Sequence, residues 1–310
     1  MFTSYDAAAD TGPIPMPNHH PLYIGLLYPV PDRAAIADKT RWSVALNHTN
    51  IFMMYKSEKW SASIDKEITE ADLSARAPLI ENRLEAGVKA PFYRSSEGFM
   101  DNLVRWYHKR IGAPSYYGQE ESPDFRYLDT VTHNGELVRK GRRGDTTPGD
   151  VEFWLKALVW KGKGAAVSVQ ALAQAPTGDA DAGTGSGDWE YGLRLLAGAE
   201  HGPMAYHAGA GVTSPGSLKL SKEDIKLDTM FMGFLGVEYE YSSSFSFLSQ
   251  SMYNTSPFPS ADIIAFSRQW WEVTFGFKWR LREGKTMTFG LSENLNQIGP
   301  DFTIHVSFEN

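Results

Sequence analysis

The chain contains no cysteine, which excludes disulfides and thiolate metal sites in whatever compartment it occupies. It also lacks any apolar run approaching the roughly eighteen residues that a membrane-spanning helix needs, and its mean hydropathy is negative. An inner-membrane helical protein is therefore excluded. A soluble protein or a β-barrel remains, because alternating barrel strands leave almost no signal in a hydropathy window. Charge of one sign is scarce too. The net charge of −7 is mild and spread along the chain, with no Lys/Arg-rich run, which argues against nucleic acid as a partner. Met1–Ala9 has neither the basic start nor the apolar core of a secretion signal. Either the numbering starts at a mature end with an added Met, or the chain is not exported.

What the chain does have is aromatic residues, at 13% with nine Trp, and period-two alternation from Trp42 to the C-terminus. Trp271, Val273, Phe275, Phe277, Trp279 and Leu281 share one face of a strand, opposite Trp270, Glu272, Thr274, Gly276, Lys278 and Arg280. Phe302, Ile304, Val306 and Phe308 alternate with Thr303, His305 and Ser307. This is strand periodicity with one apolar and one polar face.

The pattern predicts about twelve strands, at 42–54, 65–77, 83–92, 149–160, 165–176, 188–199, 203–213, 229–241, 244–254, 268–281, 285–295 and 301–309. Every second connection is tight, as at Pro78–Asn82, Lys161–Gly164, Glu200–Gly202, Ser242–Ser243 and Arg282–Gly284, whereas most of the others are long and rich in Gly, Pro, Asp and Ser. Outer-membrane barrels show this asymmetry, with short periplasmic turns and longer extracellular loops. An even strand number puts both ends of the barrel on the short-turn side, so two features agree. Trp42, Trp160, Trp189, Tyr241, Trp271 and Trp279 fall towards strand ends, as aromatic girdles do. The expectation is an all-β, transmembrane, antiparallel up-and-down barrel; a soluble β-sandwich is the alternative.

Two segments fall outside the expected wall. Residues 1–40 are Pro-rich and irregular around an apolar patch, Leu22–Val30, and read as a periplasmic or lumen-lining extension, or as a disordered tail. Residues 41–310 form the barrel domain, with a long insertion at 93–148. In that insertion Phe99, Met100, Leu103, Val104, Tyr107, His108 and Ile111 keep helical spacing, with Ser95 or Ser96 as N-cap and Gly112 at the C-terminus. Such a helix would be a gate or lid over the mouth through Phe99, Leu103 and Tyr107, would cover the rim, or would only support its own loop. Tyr127–Lys140 reads as a hairpin turning at Asn134-Gly135.

The segments GPIPMPNHHPLYIGLLYPVP, EGFMDNLVRWYHKRIGAP, PGDVEFWLKAL, APTGD with GSGDWEYGLRLL, and SENLNQIGPDFTIHVSF resemble a bacterial outer-membrane family known only as domain of unknown function 3187. The resemblance spans most of the chain and implies an exported barrel with no established activity or cofactor, so no functional residues carry over. One departure concerns assembly: barrel C-termini commonly end on an aromatic residue, whereas here Phe308 is followed by Glu309 and Asn310.

On this register the lumen is lined by Glu70, Asp72, Glu85, Asp150, Glu152, Glu190, Glu238, Glu240 and Glu272, and by Arg76, Arg83, Lys89, Lys156, Arg194, Lys278 and Arg280. A lumen this wide is not filled by ordinary side chains, so the charges either line a water-filled path or pair across it. Both signs are present, so strong ion selectivity does not follow. No cofactor or metal is expected. Asp179, Asp181 and Glu190 mimic a calcium-loop spacing, but Thr184 stands where the turn needs Gly. Gly183–Gly187 is not followed by the Lys-Ser/Thr of a phosphate cradle, and His19-His20 reads as a surface pair without a third ligand. His305 and Ser307 suggest a hydrolase only weakly, since no nucleophile elbow accompanies them. The leading expectation is a passive channel or uptake pore for a small solute, embedded in outer-membrane lipid. The alternative is a non-conducting barrel that scaffolds an envelope protein partner.

Overall fold

The computed structural model describes residues 12–28, 30–112, 119, 122–296, 300 and 302–310. Twelve long antiparallel strands close on themselves: β1 Arg41–Lys56, β2 Trp60–Ile80, β3 Leu84–Ser96, β4 Val151–Gly162, β5 Ala165–Ala175, β6 Glu190–His201, β7 Met204–Ser214, β8 Met230–Ser242, β9 Phe245–Asn254, β10 Trp270–Arg280, β11 Thr286–Asn294 and β12 Phe302–Glu309. Each pairs with its sequence neighbour, and β12 closes the barrel on β1 from Ser43↔Glu309 to Asn50↔Phe302. Closure leaves no exposed strand edge in the wall, which is what a spanning sheet requires.

Alternation fixes which side chains face out. Leu46, Leu73, Phe153, Leu155, Leu193, Leu235, Phe275 and Leu291 stand exposed on the outer face, a surface too apolar for water and suited to lipid. Trp42, Trp160, Tyr241 and Trp279 ring its short-turn end, and Trp189 and Trp271 its long-loop end. The fold is therefore the transmembrane up-and-down barrel that the alternation implies.

Two strands run longer than the pattern indicates. β1 has 16 residues and β2 has 21, against the roughly 9–11 that cross a membrane. Their hairpin rises past the wall at the long-loop end, where Trp60–Asp65 pairs with Leu128–His133 of the hairpin Leu128–His133/Glu136–Lys140. That hairpin turns at Asn134 and Gly135 with φ of 51° and 81°, the left-handed pair that Asn-Gly favours. β3 continues to Ser96, so the insertion begins later than 93.

The insertion helix, α1 Asp101–Ile111, ends in a left-handed Gly112. Its start is not capped by Ser95 or Ser96, which belong to β3. Glu67, on the outward face of β2, accepts hydrogen bonds from Phe99 N at 2.8 Å and from Met100 N. Gly98, at φ +72°, lets the chain pass so close to Glu67 that a Cβ would overlap the carboxylate.

Candidate functional site: a lumen filled by the N-terminal segment

Residues 12–40 enter the barrel from the short-turn end, turn near the long-loop end and return to start β1. Ile14, Met16, His19, His20, Tyr23 and Leu27 are fully or almost fully buried, inside a lumen whose wall side chains are largely polar. The wall holds this segment chiefly by its main chain. Gln250 accepts from Ile14 N and donates to Ile14 O, both at 2.8 Å, so one amide side chain satisfies both main-chain groups of a residue as a neighbouring strand would. Glu238 accepts from Gly12 N at 3.1 Å, and Lys278 donates to Gly12 O at 2.6 Å. Higher up, Glu190 accepts from Leu27 N, Gln174 donates to Gly25 O at 2.8 Å, and Arg194 donates to Val30 O. On the return, Lys156 donates to Arg33 O at 3.2 Å, and Glu85 accepts from Ala37 N at 2.8 Å. A backbone that forms no ladder of its own must find partners when buried, and the charged lumen supplies them.

Side-chain contacts complete the seat. Gly276 and Gly290 stand opposite each other on β10 and β11, and a Cβ on either would meet Ile14 Cδ1, at 2.5 and 3.1 Å. Two glycines thus open the groove that Ile14 fills. Leu27 packs with Trp154 and Leu172 of the wall. Asp32 lies between Arg76, at 3.2 Å, and Lys156, at 3.4 Å.

The turn of the segment forms a roof at the long-loop end. His20 stacks on Tyr23 at 4.0 Å, and Tyr23 and Tyr28 stack on Trp270 at 5.1 and 5.4 Å. Phe258, Phe266 and Trp60 pack around them. Tyr23 donates its hydroxyl to Phe266 O at 2.9 Å. Arg139 ties in the outer hairpin, donating to Pro21 O and pairing at 2.6 Å with Asp129, which also meets Lys66 at 2.5 Å. Between plug and wall lie a cavity of about 140 Å³ at the short-turn end and a smaller one of about 30 Å³ beside His19 and Tyr93.

The inward face carries Glu70, Asp72, Arg76, Glu85, Lys89, Glu152, Lys156, Glu190, Arg194, Glu238, Glu272, Lys278 and Arg280, all buried or half-buried. Several pair directly: Lys278 and Arg280 with Glu238 at 3.0 and 2.9 Å, Lys156 with Glu85 at 3.0 Å, and Lys89 with Glu152 at 3.6 Å. Arg83 is not among them. It stands exposed in the turn between β2 and β3, because β2 runs on to Ile80 and leaves only three residues to reverse the chain. Glu240 shares the parity of Glu238 but sits half-exposed at the rim, where a bulge between Glu240 and Ser242 shifts the register. Asp150 holds a loop instead, accepting from Gly178 N at 2.7 Å and Ser186 N at 2.8 Å.

The expected lid is elsewhere too. The helix α1 turns Met100 and Val104 onto Phe302, with Tyr107 and Ile304 beside them. Phe302 and Ile304 belong to the outward face of β12, since the alternate residues Thr303 and His305 bond to Thr49 and Asn47 inside. Phe99 and Leu103 are 66% and 43% exposed, and the Tyr107 ring lies tilted against Phe302 at 5.5 Å. The helix lies on the outer wall, drawn there by the Glu67 cap, and does not enter the mouth.

His19 and His20 are likewise not a surface pair. His19 bridges Thr49, at 2.6 Å, and Glu70, at 2.5 Å, while His20 sits in the roof. Among the described residues no group of three His, Asp or Glu side chains converges as a metal site. His305 does meet Ser307 at 2.9 Å and Asn47 at 2.6 Å, a serine–histidine–amide line. It stands mid-sheet, where β12 pairs on both sides, so the local backbone N–H groups are spent on ladders and form no oxyanion hole.

The model of the family described as "Protein of unknown function (DUF3187)" matches residues 1–310. The chain belongs to this family. Comparison with curated proteins finds no match. Among solved structures, the chain is similar to the COG4313 outer membrane channel from Pseudomonas putida F1, at 13% identity and a TM-score of 0.58, over 92% of this chain and 97% of that one. It is less similar to the KdgM porin, at 6% identity and a TM-score of 0.44, over 86% of this chain and 97% of that one. The first likeness shows the fold alone, that of an outer-membrane barrel, and assigns no residue of this family member a role.

Proposed function

We propose that this family member is an outer-membrane channel for a small polar solute, held shut by its own residues 12–40. The observation that carries the reading is the grip of lumen side chains on the main chain of that segment. A wall built only for rigidity would pair its charges with one another alone, whereas this one, besides such pairs, offers donors and acceptors to a separable strand of chain. The short-turn end faces the periplasm in this reading, so the plug docks from the periplasmic side. The wall side of the larger cavity there carries four cations, Arg76, Lys89, Arg194 and Lys278, against the two acids Asp72 and Glu309. That excess favours neutral or anionic solutes.

The test is conductance of the purified full chain in a planar bilayer, with reversal potential measured in a salt gradient. Discrete openings with an anion preference are expected, and Arg76→Gln with Lys89→Gln shifts the reversal potential towards cation selectivity. The same plugged lumen also suits the second reading, a non-conducting scaffold. Silence from the full chain and from variants with a weakened plug, in barrels whose heat-modifiable mobility shows them folded, would contradict the channel.

A further inference from the structure

The helix α1 runs around the barrel rather than along it. At its start Asp101 accepts from Asn50 of β1 at 3.2 Å, its middle packs Val104 on Phe302 of β12, and near its end His108 meets Glu293 of β11 at 3.5 Å. Asn50, Phe302 and Glu293 are register partners across the three strands, so the helix crosses the strands on the outer wall near their long-loop ends. That is the attitude of an amphipathic helix lying in a membrane interface.

Its free face carries large apolar side chains in the open. Phe99, Leu103 and Trp106 make a stripe at helical spacing and are 66%, 43% and 57% exposed. Arg110 continues the stripe with its guanidinium over the Trp106 ring, 6.0 Å from the centroid, and Lys109 is exposed beside it. Neither Lys109 nor Arg110 forms a salt bridge among the described residues. Three large apolar groups with two cations at one end of the stripe match a phosphate-bearing lipid, its acyl chains against the apolar side chains and its phosphate at the cations.

We propose that α1 is a binding seat for a phosphate-bearing lipid of the outer leaflet, with Lys109 and Arg110 holding the phosphate and Phe99, Leu103 and Trp106 lying on the acyl chains. The inference rests on the outer-membrane reading but not on conduction. The apolar stripe is continuous with the lipid-facing wall, which is why a lipid is the occupant rather than a protein.

The experiment titrates the full chain in dodecyl maltoside with fluorescent diphosphoryl lipid A, with phosphatidylcholine and inorganic pyrophosphate as further probes. Lipid A binds saturably and phosphatidylcholine and pyrophosphate bind far more weakly, because both charge and acyl contact are needed. Lys109→Gln with Arg110→Gln weakens lipid A binding about thirtyfold, Leu103→Ser with Trp106→Ser weakens it as well, and Lys222→Gln in a distant loop leaves it unchanged. Lipid A binding by the Lys109→Gln, Arg110→Gln variant at wild-type strength overturns the seat, as does equal binding of phosphatidylcholine. Self-association through this face, abolished by the same substitutions without effect on lipid A, also overturns it. A chain that fails to insert into lipid vesicles at all overturns the outer-membrane reading together with the seat; one that inserts and fails only the lipid A comparison loses the seat alone.

Discussion

Deleting residues 14–36 is expected to turn a mostly shut barrel into one that conducts in every inserted molecule. Those residues make the contacts with Gln250, Gln174, Glu190, Arg194 and Lys156, and water replaces them when they are gone. A shift from open about 1% of the time to open about 99% corresponds to ~5.5 kcal/mol. That is the worth of a few hydrogen bonds to charged groups, at roughly 1.5–3 kcal/mol each. The wall pairs Lys278–Glu238 and Lys156–Glu85 survive the deletion, so the barrel should still form. Single-channel recording alongside heat-modifiable mobility checks both points. A folded, silent deletion variant would mean that something other than this segment blocks the lumen.

Acid is expected to loosen the roof through His20. The ring is fixed as one neutral tautomer: Nε2–H donates to Ala265 O at 2.9 Å, while Nδ1 accepts from Leu22 N at 3.3 Å. Burial is the main cause that lowers its pKa from 6.5 to about 3; the hydrogen bond to Ala265 opposes this, and the charge of nearby Arg139 adds to it. The depressed value sets the sign. The stability that depends on a neutral His20 is fully present above pH 6.5 and is lost progressively as pH falls towards 3, at roughly 1.4 kcal/mol per pH unit. A charged ring also loses its acceptor for Leu22 N and its stacking place between Tyr23 and the roof. Protease cleavage of the N-terminal segment, or open probability, should therefore rise between pH 6.5 and 4 in the wild type and less steeply in His20→Gln, where buried His19 still contributes. Identical acid responses in the two proteins would show that other groups, not His20, carry the effect.

Why the barrel is legible in the sequence, and the plug only as one of several alternatives, follows from what leaves a pattern. A strand that faces lipid on one side and a polar lumen on the other must alternate, and Trp271 to Trp279 shows this without help from tertiary contacts. The alternating loop lengths add the orientation of the two ends. Residues 12–40 carry no such mark, because they are held by their peptide groups, and a peptide group is the same in every residue. Leu22–Val30 shows only that something apolar must be covered, not that the cover is the inside of the barrel. Helical spacing likewise reveals a stripe at Phe99, Leu103 and Trp106 without saying whether its dry side faces a mouth, a core or a membrane. The deciding residue is Glu67, thirty-odd positions earlier, whose carboxylate catches the helix start on the outer wall. The inward parity of Glu85 does not extend to Arg83, which lies past the end of the strand in a turn that no longer obeys it.

The absence of cysteine makes the central claim directly testable, since any disulfide must be the engineered one. A Cβ built on Gly198 of β6 would lie 3.7 Å from Ala34 Cβ in the N-terminal segment, within the roughly 3.5–4.5 Å that a disulfide spans. Ala34→Cys with Gly198→Cys should cross-link readily under mild oxidation, silence the channel in a bilayer, and release it when a reductant is added. A folded double variant that fails to cross-link, or that conducts equally whether oxidised or reduced, would contradict a lumen filled and gated by residues 12–40.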